Sequence, residues 1–132
     1  MKTRVLLDTN FLMMPYKDHV DIFQEIGRLM ASDQEYEIAV PASVKRELET
    51  LAVKDRGENK VAAKLGLQLL EQKNVPVIES PPDVRADDDI LRLAEDDRQI
   101  VVCTNDKLLK TELRKKGVSV MTMRSKSHLA YV

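Results

Sequence analysis

Arg4-Val5-Leu6-Leu7-Asp8-Thr9-Asn10 is the segment from which the architecture of the chain is read. An apolar run broken at once by polar turn-formers suits a short strand covered on both faces, which is how strands of a parallel sheet read. Arg4–Leu7 is that strand. Asp8 then stands just past its carboxyl end, the edge at which open α/β sheets bind ligands. Thr9 and Asn10 set a hydroxyl and an amide beside the carboxylate. All three residue types also cap helices and form turns. Alone, the stretch therefore reads equally as a cap or as an active-site acid, and the other acidic residues must decide.

The pattern repeats further along the chain. Gln99 to Cys103 is another dense apolar run, and it ends in Thr104-Asn105-Asp106, a close echo of Asp8-Thr9-Asn10. Further strands are expected at Tyr36–Val40, Val75–Glu79 and Val118–Met121, with Pro76 marking an edge or a strand start. Helices lie between them. One runs from Lys17 to about Ser32 behind the apolar loop Phe11–Pro15, with Asp18 as its cap and Val20, Phe23, Ile26 and Met30 at helical spacing. Another opens at Pro41 and runs through Leu48. A charged turn over Lys54–Asn59 leads to a helix from about Asn59 to Lys73, ended by Asn74 in a left-handed conformation. A helix begins near Ala86 and buries Ile90, Leu91 and Ala94. The last covers Lys107–Lys116, with Gly117 as its stop. Five strands alternating with helices predict a three-layer α/β/α domain with a mostly parallel sheet and right-handed crossovers. One domain spans 1–132, with a loosely held basic tail from about 124.

Composition narrows the function. Of the 132 residues, 43% are hydrophobic and 33% charged, which fits a folded core and not a disordered chain. No apolar run approaches the roughly 20 residues that span a bilayer, and Asp8 interrupts the N-terminal run too early for a signal peptide. A cytoplasmic, non-membrane protein is expected. Cys103 is the single cysteine, which excludes an internal disulfide, and its apolar neighbours make it a small core residue. His19 and His128 match no zinc spacing. Net charge is −1, so no global basic field announces a nucleic acid. Charge is nevertheless segregated. Nine Asp/Glu stand against three Arg over 75–106, and seven Lys/Arg against one Glu over 107–128.

The acids gather at one edge. Glu47 falls about one turn into a helix that follows a strand, a place that aims it at the edge holding Asp8; a solvated Glu paired with a nearby Lys or Arg has the same spacing. Glu49, two positions on, faces elsewhere. Asp87-Asp88-Asp89 opens a helix, where one carboxylate is expected as a cap but three repel one another unless solvated or offset by a cation. Asp8, Glu47, Asp88 and Asp106 thus all follow strands or open helices on the same side. Carboxylates without histidine or clustered cysteine select Mg²⁺ or Mn²⁺ over zinc. Such a centre activates water and stabilises a leaving oxygen, and hydrolysis of a phosphodiester is the direct reading. Asp8 and Asp106 would be ligands. Asp88 would ligate or orient the water, Glu47 would act directly or through water, and Asp87 could share the role of Asp88. Thr104 and Asn10 would hold the carboxylates or the metal's waters.

These four acidic segments resemble the motifs of the PIN-domain ribonuclease family. Leu6-Leu7-Asp8-Thr9-Asn10 is similar to its opening motif and Val44-Lys45-Arg46-Glu47-Leu48 to its second. Asp88-Asp89-Ile90-Leu91-Arg92-Leu93-Ala94 is similar to the third and Thr104-Asn105-Asp106 to the fourth. Ala86-Asp87-Asp88 looks closer to small PIN proteins of ribosomal-RNA processing than to VapC-type toxins. The resemblance implies strand order 3-2-1-4-5, metal-dependent cleavage of single-stranded RNA, and a homodimer. An antitoxin or a ribosome-assembly factor would be the protein partner.

Lys107, Lys110 and Arg114, with Lys115 and Lys116, could track a phosphate backbone; the same residues also make an ordinary solvated helix with a dipole-matched end. Lys45 and Arg46 lie near the other side of the expected site and are further candidates for binding RNA. Aromatic residues are too few for a stacking platform. A toxin-type ribonuclease and a non-catalytic RNA-binding or assembly module are the competing readings.

Overall fold

The computed structural model describes residues 2–30, 34–96 and 99–132. β1 (Thr3–Leu7) runs into a short 3-10 turn (Phe11–Met13) and α1 (Met14–Lys17), then α2 (Ile22–Leu29) and β2 (Tyr36–Pro41). The antiparallel pair α3 (Ala42–Lys54) and α4 (Gly57–Gln72) leads to β3 (Val77–Ile78). There follow α5 (Ala86–Asp96), β4 (Ile100–Cys103), α6 (Lys107–Lys115), β5 (Ser119–Met123) and β6 (Leu129–Tyr131). The sheet order is β3-β2-β1-β4-β5-β6. Every pair is parallel except β5 with β6.

The first five strands stand in the order 3-2-1-4-5, as expected. The sixth was not expected, because its three residues follow a charged, serine-rich segment that reads as a loosely held basic tail. The C-terminal residues of β6 are held to the fold. Leu129 is fully buried, and Met123 and Leu129 pair across the two strands. α2 reaches across to the same residue. Glu25 Oε1 accepts from the Leu129 N–H at 3.0 Å, and Arg28 Nη2 donates to the Leu129 carbonyl at 2.5 Å.

The central strands read as they do because both of their faces are covered. Val5, Leu6, Leu7, Val102 and Cys103 have no exposed surface. Leu7 pairs with Cys103, and the Asp8 N–H continues the ladder to the Cys103 carbonyl at 3.2 Å. The polar residues after β1 and β4 are therefore neighbours. Strand order reverses between these two strands, which makes their carboxyl ends the switch-point crevice of the sheet.

The segment after Asn10 differs from its sequence reading. Phe11–Pro15 is a 3-10 turn running into α1 and not a loop, and the expected helix from Lys17 is broken at His19, whose φ is +53°. Asp21, not Asp18, caps α2, accepting from the Gln24 N–H at 3.0 Å. The expected end near Ser32 lies outside the described residues. Gly66 of α4 sits directly on this segment. A Cβ there would lie 2.7 Å from the Leu12 carbonyl oxygen, so only glycine lets α4 press the turn that carries Asp8 and Thr9 into place. Among the described residues, no helix is long and apolar enough to cross a membrane.

Candidate active site

At the carboxyl ends of β1 and β4, Asp8 is 7% exposed. Its Oδ1 accepts from the Thr9 N–H at 2.7 Å and its Oδ2 from the Thr104 hydroxyl at 2.7 Å. Burial pushes the Asp8 carboxyl above its ordinary range. The hydrogen bonds from Thr104 and Thr9 oppose that shift, and the negative charges of Asp106 and Glu47 reinforce it. Two of the other expected acids thus act on Asp8 from segments far apart in sequence.

Each is held by its own element. Asp106 is the N-cap of α6, its Oδ1 accepting from the Leu109 N–H at 2.8 Å, and its own N–H donates to Thr104 Oγ1 at 3.0 Å. The preceding Asn105 fastens this loop to β5, its Oδ1 accepting from Thr122 Oγ1 at 3.0 Å and from the Met123 N–H at 2.9 Å. Glu47, one turn into α3, is half-buried. Its Oε1 accepts from the Thr9 hydroxyl at 3.0 Å and its Oε2 from the Ala86 N–H at 3.0 Å. That second bond brings the first turn of α5 to the site.

The three aspartates that open α5 separate. Asp89 has no exposed surface and turns inward, away from the crevice. Its Oδ2 accepts from the hydroxyls of Ser43 at 2.6 Å and Ser80 at 2.5 Å, and its Oδ1 from Arg92 Nε at 3.1 Å and Nη2 at 2.6 Å. Burial alone would raise its pKa, but the two hydroxyls and the guanidinium outweigh burial and hold the carboxyl below its ordinary range. Asp87 is half-buried, with Arg85 Nε 3.6 Å from its Oδ1, and Asp88 is exposed.

The supporting residues sort differently from their sequence reading. Thr104 is fully buried and joins Asp8 to Asp106. The side chain of Asn10 is exposed and makes no hydrogen bond among the described residues; Thr9 does the bridging instead. Neighbouring positions in a tight turn point to different sides, so sequence alone could not separate them. The backbone N–H of Ala86 carries no side-chain signal at all.

The basic residues fall on two surfaces. Lys107, Lys110 and Arg114 share one face of α6 and make no ion pair among the described residues, whereas Lys115 pairs with Glu112 at 3.6 Å and Lys116 with Glu95. Arg46 donates through Nη2 to the Pro81 carbonyl at 2.9 Å. Lys45 lines a separate hollow with Leu70, Glu71 and Asn74.

The donor set fits a hard divalent cation. It is all carboxylate, and it places a buried acid under repulsion from two others, a charge arrangement that a small cation offsets. Among the described residues, no three such side chains already stand at ligating distances from a common point. The acids are held by protein donors and leave lone pairs free.

A family model described as a PIN-like domain matches residues 5–126. Ribonuclease VapC4 of Methanocaldococcus jannaschii is 34% identical over 128 residues, covering 95% of this chain and 93% of that protein. Ribonuclease VapC9 of Archaeoglobus fulgidus is 36% identical over 115 residues, covering 87% and 78%. Among solved structures, the PIN domain endonuclease Utp24 superposes with a TM-score of 0.78 at 21% identity over 97% of this chain and 90% of that one. A domain of a functionally unknown protein from Methanocaldococcus jannaschii gives 0.66 at 19% identity, covering 93% and 92%. The two structural likenesses speak for the fold.

Proposed function

Since the chain belongs to the PIN-like domain family, we propose that it is a divalent-metal-dependent endoribonuclease that hydrolyses phosphodiester bonds of single-stranded RNA in the cytoplasm. One observation carries this reading: the buried carboxylate of Asp8 lies in the switch-point crevice under the charge of both Asp106 and Glu47. Asp8 and Asp106 are the metal ligands. Glu47 acts directly or through water, and Asp87 or Asp88 closes the site from α5. A bound Mg²⁺ or Mn²⁺ supplies a water of lowered pKa and stabilises charge on the leaving oxygen. Thr104 keeps the Asp8 carboxylate turned toward Asp106, and Thr9 keeps Glu47 facing the crevice. Lys107, Lys110 and Arg114 continue from Asp106 along one face of α6 and bind the phosphates that flank the scissile bond.

The test is cleavage of an unstructured RNA with Mg²⁺ or Mn²⁺. Chelation and Asp8→Asn should each abolish it. An Asp8→Asn protein that cuts as fast as the unaltered chain would overturn the assignment. A non-catalytic RNA-binding module would bind this RNA and leave it whole.

A second reading concerns setting. The third motif resembles that of ribosomal-RNA processing proteins more closely, but both curated relatives carry VapC names. That favours a toxin-type ribonuclease held by an antitoxin. Expression of the chain alone should then arrest growth, and co-expression of its genomic neighbour should restore it. Accumulation of unprocessed ribosomal RNA on depletion would instead support the processing role.

A further inference from the structure

The crevice does not end at Glu47. On the other side of this residue, between α3 and the segment leading to α5, lies a cavity of about 300 Å³ lined by Ser43, Arg46, Glu47, Thr50, Leu51 and Val84. It stands at the low end of the volumes that hold small ligands, roughly 300–1,000 Å³. We propose that this cavity receives an unpaired nucleobase of the RNA, from the nucleotide next to the scissile phosphate, with Arg46 as the residue that recognises it. The proposal rests on the ribonuclease reading above and adds a base subsite to it.

The lining chooses a base over a phosphate. Leu51 and Val84 give apolar walls, and the acid among the lining residues is Glu47, whose charge repels phosphate. Glu47 has both oxygens engaged by Thr9 and Ala86, and Ser43 donates its hydroxyl to Asp89. The donors left to a ligand belong to Arg46. Its Nη2 donates to the Pro81 carbonyl, which holds the guanidinium beside the cavity. Nε and Nη1 make no hydrogen bond among the described residues. A planar group with two free N–H donors beside apolar walls can stack on a base or pair with its carbonyl and ring-nitrogen acceptors. Because Glu47 lines both the crevice and the cavity, a base seated here belongs to a nucleotide adjoining the acids. Only a splayed, unpaired base can enter, so the cavity also gives a physical reason for preferring single-stranded RNA. It does so without the aromatic platform that this chain lacks.

The experiment uses the whole chain with Mn²⁺ and short RNAs whose cleavage position has been mapped. In each RNA, one nucleotide flanking the cut is made abasic. At one of the two flanking positions, losing the base should raise KM on the order of tenfold and change kcat less than twofold. Thr50→Phe fills the cavity from its exposed rim, and Arg46→Ala removes the donors. Both should raise KM for intact RNA to the abasic level, yet cleave the abasic RNA with the KM of the unaltered chain. If the unaltered chain cleaves both abasic RNAs with unchanged KM, the subsite is wrong and the nuclease assignment stands. If the two variants lose equally on intact and abasic RNA, their effect does not pass through a base and the subsite is again wrong. If the unaltered chain cleaves no RNA, it is the underlying ribonuclease reading that fails.

Discussion

The Thr104 hydroxyl donates to Asp8 Oδ2 at 2.7 Å, joining residues 96 positions apart. Because the same oxygen accepts the Asp106 N–H at 3.0 Å, one buried hydroxyl sets the spacing of two acids. Thr104→Val keeps the shape and removes both bonds. It should lower the cleavage rate about 10–100-fold, the usual effect of losing a group that orients a metal-binding side chain. Thr104→Ser should retain most of the rate. Initial rates at saturating Mn²⁺ decide between them.

Burial raises the pKa of the Asp8 carboxyl, and the negative charges of Asp106 and Glu47 add to that shift. Asp8→Asn should therefore abolish cleavage and, in metal-free buffer, raise the melting temperature by a few degrees. The sign follows from the raised pKa. At neutral pH the charged form is the one that the fold disfavours, so its removal relieves the folded state. Added Mn²⁺ should raise the melting temperature of the unaltered chain and leave that of Asp8→Asn nearly unchanged. Thermal unfolding with and without metal reads both effects.

The three aspartates of α5 should separate by what each substitution damages. Asp89→Ala strands the buried Ser43 hydroxyl, the half-buried Ser80 hydroxyl and a guanidinium, and should cost about 3 kcal/mol of stability. Asp87→Ala and Asp88→Ala should change stability by less than about 0.5 kcal/mol. At least one of the two should slow cleavage strongly. Urea unfolding beside rate measurement distinguishes the structural acid from the working ones.

Acid should loosen the C-terminal strand. The Arg28 hydrogen bond, followed by that from the Leu129 N–H, holds the Glu25 carboxyl below its ordinary value of 4.5. A depressed folded pKa contributes stability that is present above the ordinary value and is lost as pH falls through the folded one. Asp89 carries the same sign, and Asp8 the opposite. Glu25→Gln should lower stability at pH 7 and flatten its decline below about pH 4. Hydrogen exchange at Leu129 should quicken in that variant first.

The parallel sheet was legible because Val5–Leu7 and Ile100–Cys103 are buried on both faces, and burial on both faces writes itself as an uninterrupted apolar run. Asp8, Glu47 and Asp106 were legible because strand ends are fixed by such runs. The third motif was less so. Three identical side chains in succession differ only in the direction each takes around α5, and one of them is spent on Ser43, Ser80 and Arg92. Thr9 and Asn10 were indistinguishable for a similar reason. β6 was hidden because its order derives from Glu25 and Arg28, about a hundred residues earlier in the chain.

The two rims of the sheet also bear on how the protein behaves when crowded. β3 has two residues and β6 three, so neither border offers a long row of unpaired backbone groups to a neighbouring molecule. Borders this short disfavour the edge-to-edge stacking that leads from folded monomers to fibrils. Concentrated solutions should consequently resist growth into extended β-assemblies for as long as the Leu129 clasp keeps the C-terminal border closed.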